Sequence, residues 1–217
     1  MDNAIKRALD DPVSRRKFVA ITGGTGSLSL LLAACGSDNK SASTSTSTGS
    51  SDADALAQFG EGDLGIVNYA LTLEYLEAAF YADVAKSGLF KGDDLALIEM
   101  IGKNEDEHVV ALTATAKQLG GMPAPKPKTQ FDLKDAPTVL KTAATVENLG
   151  AAAYLGQAGA IKSEQVLAAA LSIHTVEGRH AAALNTLTDQ SITPDGAFAK
   201  PADATTVLAA VKPFIVA

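Results

Sequence analysis

Two halves of this 217-residue chain repeat one another at an offset of about 72 residues, and both place ionisable groups inside an apolar stripe. Glu105-x-x-His108 is matched by Glu177-x-x-His180, and Leu73-Glu74-Tyr75-Leu76 by Val146-Glu147-Asn148-Leu149. Val166, Ala170, Ile173, Glu177, His180, Leu184 and Leu187 fall at steps of three and four, which is the period of one helical face. Leu95, Ile98, Ile101, Glu105, His108, Leu112, Ala116 and Leu119 nearly do the same. A carboxylate buried without a partner is costly or takes up a proton. A fold that buries four of them must therefore supply their compensation.

Proline placement shows how the stripes are carried. None of the eight prolines lies between residues 13 and 122, or between 138 and 193, so two long windows are free of helix breakers. Ser87-Gly88 through Gly92 interrupts the first window and Lys162-Ser163 the second. Four helices are expected, at about 63–87, 93–119, 137–161 and 163–189. Asp93 and Ser163 suit N-caps, Pro137 suits a first turn, and Gly120-Gly121 suits a helix end. The fold class is all-α: a four-helix bundle with a long crossover through the proline-rich stretch 121–136 and a short C-terminal helix near Asp203–Val211. Hydrophobic residues at 47% can fill such a core, whereas 5% aromatics and no Trp are thin for a β-sandwich. A net charge of -7 argues against a nucleic-acid partner. A single cysteine excludes an internal disulfide framework and any Cys-based zinc or iron–sulfur site.

Residues three apart share a helix face. Packing the four faces inward gathers four carboxylates and two imidazoles, the arrangement that holds two iron or manganese ions in a bundle core. Four Glu⁻ balance two divalent ions. The donor set favours Fe or Mn, admits Zn and disfavours Ca and Mg. The competing reading is a polar core network whose members satisfy one another without metal.

At these residues the chain resembles the ferritin-like superfamily, and within it the bacterial ferritin-like domain proteins related to plant desiccation-related proteins. The resemblance spans about residues 60–217. It implies that Glu74, Glu105, His108, Glu147, Glu177 and His180 are metal ligands, with the terminal or bridging role of Glu105 and Glu177 left open. It also implies chemistry on O2, peroxide or Fe(II). The narrower group implies no defined activity.

Other residues have two readings each. Glu77, one turn after Glu74 where the second half has Gly150, is a seventh, asymmetric ligand or a partner of a neighbouring polar group. His174, three before Glu177, is an extra ligand or a helix-face histidine beside the site. Tyr81 and Tyr154 lean back toward the ligand glutamates, as hydrogen-bond donors, redox residues or core tyrosines with satisfied hydroxyls.

The N-terminal residues read as an address. Ser14-Arg15-Arg16-Lys17-Phe18 is a twin-arginine stretch, followed by an apolar run to Ala34 that Gly23, Gly24 and Gly26 interrupt, and then by Leu32-Ala33-Ala34-Cys35. This predicts a twin-arginine lipoprotein signal over 1–35 with Cys35 lipidated; a buried free cysteine, or a simple signal-peptidase site beside it, is the alternative. Residues 36–60 are expected to be a disordered Ser/Thr-rich tether, 61–190 the bundle and 191–217 an extension with a short helix. The reading is of a periplasmic or cell-envelope protein held at the membrane by lipid alone, with two Fe or Mn ions and an external electron donor. A dimer is plausible and a storage cage is not, given a tether on each subunit. The alternative is a non-catalytic, stress-protective or metal-sequestering envelope protein.

Overall fold

The computed structural model describes residues 48–216, with side chains from residue 52 onward. The expected signal, Cys35 and the first part of the tether lie outside the described residues. Six α-helices follow in order: α1 Thr48–Ala57, α2 Gly62–Lys86, α3 Gly92–Gln118, α4 Ala136–Ala158, α5 Glu164–Leu187 and α6 Ala204–Val211. A 3-10 turn, Lys212–Phe214, succeeds α6. Two short strands, β1 (Lys128–Thr129) and β2 (Ile215–Val216), pair antiparallel and clip the C-terminus to the crossover. Among the described residues no helix is long and apolar enough to cross a membrane.

The bundle consists of two helical hairpins, α2–α3 and α4–α5, as the two proline-free windows lead one to expect. Helix ends follow local chemistry. The hydroxyl of Ser163 caps α5 by accepting from the N–H of Val166 at 3.3 Å. Asp135 caps α4 by accepting from Thr138 N–H at 2.8 Å, with Pro137 in the first turn. At the end of α3, Gly120 adopts φ +78°, and the N–H groups of Gly120 and Gly121 return to the carbonyls of Lys117 and Ala116. That double return requires a left-handed residue, which glycine adopts at no steric cost. Asp93 is not the cap of α3: the helix begins one residue earlier, after Lys91, and Asp93 and Asp94 lie in its first turn. There two carboxylates oppose the positive end of the helix dipole.

Apolar packing divides along the bundle axis. One cluster gathers Phe80, Val84, Ile98, Ile101, Val139 and Leu184; the other gathers Val67, Leu71, Leu112, Ala116, Val166 and Ile173. On every helix the ionisable residues fall between these two sets. A third cluster, with Tyr69, Leu73, Leu76 and Val146, is covered by Val207 and Val211 of α6 and by Ala55, Leu56 and Phe59.

That covering corrects the expectation of a disordered tether over 36–60. Residues 48–57 form α1, because Ala55, Leu56 and Phe59 provide an apolar edge that Ser/Thr counting overlooks. Asp52 provides a polar latch: its carboxylate accepts from the Ala204 N–H at the start of α6, and from Gln157 Nε2 at 3.0 Å. Asp52→Ala should therefore lower stability by about 1–3 kcal/mol, read by chemical denaturation. An unchanged midpoint would show that the Asp52 latch adds nothing to the bundle.

Candidate metal centre

Glu74, Glu105, Glu147 and Glu177 are each 0% exposed, and His108 and His180 are 9% and 4% exposed. The Nδ1 of His108 lies 2.8 Å from Glu105 Oε2, 3.2 Å from Glu177 Oε1 and 3.3 Å from Glu74 Oε2. The Nδ1 of His180 lies 2.9 Å from Glu105 Oε1 and 3.2 Å from Glu147 Oε2. Two four-residue sets result: Glu74, Glu105, His108 and Glu177, and Glu105, Glu147, Glu177 and His180. Ligand atoms within each set lie within 4.8 Å of one another. The sets share Glu105 and Glu177, while Glu74 and Glu147 belong to one set each.

The residues fit a bound metal better than they fit one another. A ring nitrogen has at most one proton to donate, yet each Nδ1 meets two or three carboxylate oxygens. Of the four buried side-chain polar atoms without a hydrogen bond among the described residues, three are Glu105 Oε1 and both oxygens of Glu177. Glu105 Oε1 approaches His180 at 2.9 Å and Glu177 Oε1 approaches His108 at 3.2 Å without hydrogen-bond alignment. Such spacings suit the edges of a coordination polyhedron, about 3 Å for ligands ~2.1 Å from a common centre. The fourth atom, the hydroxyl of Tyr69, belongs to neither set.

The tyrosines support the carboxylates crosswise. Tyr81 of α2 donates to Glu147 Oε1 of α4 at 2.6 Å, and Tyr154 of α4 donates to Glu74 Oε1 of α2 at 2.5 Å. Burial, and then the neighbouring carboxylate charge, push both phenols well above their ordinary range, so they remain donors. His174 joins neither set; its Nδ1 faces the Ala151 carbonyl of α4 at 3.0 Å. Glu77 is buried beside the sets but belongs to neither.

Two features escaped the sequence. The Nδ2 of Asn104 lies 3.0 Å from His180 Nε2, holding the ring from behind as ligand histidines usually are. Its position four residues before His108, on the same face, was the available signal. Asn148 and Asn185 pair through their amides, Asn148 Nδ2 donating to Asn185 Oδ1 at 2.8 Å, which ties α4 to α5 beside Glu147. Nothing in the repeat marks them, because neither has an equivalent in the first half.

Electrostatics follow from burial and crowding. Burial, opposed by hydrogen bonding to His108, pushes Glu74 up to about 7. Burial also raises Glu77, Glu147 and Glu177. For Glu105 burial is outweighed by the hydrogen bond to His108 and the close approach of His180, and it falls to about 2. Burial disfavours both imidazolium ions, but the carboxylates prevail and raise His108 to about 12 and His180 to about 9. A raised group stabilises the fold below its unfolded value and loses that contribution as pH climbs through its folded value. Glu74 thus withdraws stability between 4.5 and about 7, and His180 between 6.5 and about 9. Glu105 has the opposite sign, and its contribution disappears only toward pH 2. Chelator-treated protein should accordingly melt at progressively lower temperature from pH 5 to pH 9. Metal-supplemented protein should melt at a more nearly constant temperature. A metal-free melting point that rose over this interval would contradict the assignment.

Fold and site together define a carboxylate- and histidine-lined four-helix bundle, and the chain belongs to the ferritin-like domain family, whose model matches residues 62–190. The match runs from the first residue of α2 to just beyond α5. No curated protein matches the chain.

Proposed function

We propose that this is an exported, lipid-anchored ferritin-like protein whose bundle holds a carboxylate-bridged pair of Fe or Mn ions for redox chemistry on O2, peroxide or Fe(II). The observation that carries the reading is the pair of interlocked Glu3His sets sharing Glu105 and Glu177. Bound Fe or Mn would supply the electron transfer that no side chain in the set can supply.

The chain's own residues do the rest. Glu105 and Glu177 span both sets, and Glu74 and Glu147 each complete one. The crossed tyrosine hydroxyls hold the latter two carboxylates by one oxygen, leaving the other for binding. Asn104 orients His180. The two apolar clusters on either side exclude water from the ends of the site, which strengthens every charge interaction inside it. The only cysteine precedes the bundle, so reducing electrons come from an external donor or from Fe(II) itself.

The chain from residue 46 onward, a compact unit, should bind about two Fe or Mn ions when expressed in replete cells, read by mass spectrometry. A Glu105→Ala/Glu177→Ala variant should lose both. A stable helical protein that stays metal-free even after anaerobic Fe(II) or Mn(II) addition would overturn the redox reading. The bundle would then be a scaffold.

The address supports the location. In the full chain, Cys35→Ala should move the protein from the membrane pellet to the soluble envelope fraction. Retention in the pellet would remove the lipid anchor from the account.

A further inference from the structure

Glu77 is the buried carboxyl that the two ligand sets leave unexplained. It is 2% exposed and one turn along α2 from Glu74. Its counterpart in the second half is Gly150, and the two positions face each other across the bundle. A Cβ on Gly150 would lie 2.9 Å from Glu77 Oε1 and 3.1 Å from Glu177 Oε2. Any side chain there would push one or both carboxylates away, so the glycine keeps open the gap through which Glu77 meets Glu177.

The remaining surroundings give Glu77 nothing polar to answer. Leu73, Leu76, Val146 and Leu149, with Val207 and Val211 of α6, wall the small cavity on its outer side. Among the described residues no hydrogen bond or ion pair satisfies it, and its oxygens, unlike those of Glu177, are not wholly sealed, because Glu77 itself lines that small cavity. The charges acting most strongly on it are those of Glu177, Glu74, Glu147 and Glu105. A carboxyl so placed has one direction in which a cation would compensate it, the ligand sets themselves.

The sets already show the asymmetry that such a group would impose. The two oxygens of Glu105 each approach a different histidine, Oε1 toward His180 and Oε2 toward His108. Its repeat partner Glu177 directs Oε1 toward His108 and Oε2 toward Gly150 and Glu77. The pseudo-twofold relation of the halves fails where Glu77 faces Gly150.

We propose that Glu77 is a seventh ligand of the metal pair, reaching it across Gly150, and that it makes the two metal positions unequal. This rests on the metal-binding reading above. Four carboxylates neutralise two divalent ions; a fifth matches one divalent and one trivalent ion, so Glu77 favours the higher oxidation state at one position.

Anaerobic titration of the full chain in detergent with ⁵⁷Fe(II), followed by Mössbauer spectroscopy, tests this. The unaltered protein should bind two ions in unequal steps and show two distinct quadrupole doublets. Glu77→Gln should weaken one step by about tenfold or more and draw the doublets together. Glu77→Asp, which keeps the carboxylate but draws it back by one methylene without touching Glu177, should do the same, and tests the reach even if the Gln variant folds poorly. Two ions bound with unchanged steps and doublets in both variants would overturn the role of Glu77 alone. No iron bound by the unaltered protein would overturn this proposal and the metal-binding reading together.

Discussion

Four fully buried carboxylates at the centre of a helical bundle are the constraint on which the rest of this structure depends. In a low-dielectric interior they repel one another and lose their hydration, and neither effect can be offset by packing. The fold answers with two imidazoles, two phenols and a geometry that leaves oxygen atoms aimed at shared points. Apolar residues above and below then become a necessity rather than filler. They keep the helices straight and close-packed on either side of a layer that would push them apart by itself.

The crossed tyrosines bear on how the site assembles. Each hairpin contributes a phenol to the other hairpin's glutamate, and each ligand set draws residues from both hairpins. Neither α2–α3 nor α4–α5 contains a complete half-site despite the internal repeat. Completing either set therefore requires both hairpins together. Any duplication that produced the repeat yields function only as a pair.

Much of this was legible in the sequence because helical periodicity and charge chemistry disagreed there. Glu105, His108, Glu177 and His180 occupy positions that the period of three and four reserves for Leu or Ile, and only a common centre reconciles the two. Helix limits were legible to within a few residues because Pro137, Ser163 and Gly120 act locally. Asp93 misled because its carboxylate serves the helix dipole equally well from inside the first turn. Residues 48–60 misled for a different reason. Their average composition resembles a linker, but Asp52 and Phe59 act singly, the first through a contact with Ala204 far off in the chain and the second against the ring of Tyr69 on the next helix. Asn104 left only its spacing from His108 as a signal, and the Asn148–Asn185 pair was invisible, because an amide on a helix has no pattern until its partner's position is known.

The third apolar cluster has a directional consequence. With α1 and α6 laid over Tyr69, Leu73, Leu76 and Val146, the side of the bundle formed by α2 and α4 is roofed. Glu74 and Glu147, which come from those two helices, are wholly sealed, while His108 on α3 is the most exposed of the six ligand candidates. A bundle that its repeat would make two-sided thus has two unlike faces, one roofed and the other not covered by α1 or α6. Of the six ligand candidates the imidazole of His108 is the nearest to solvent, and all four glutamates are shut away behind it.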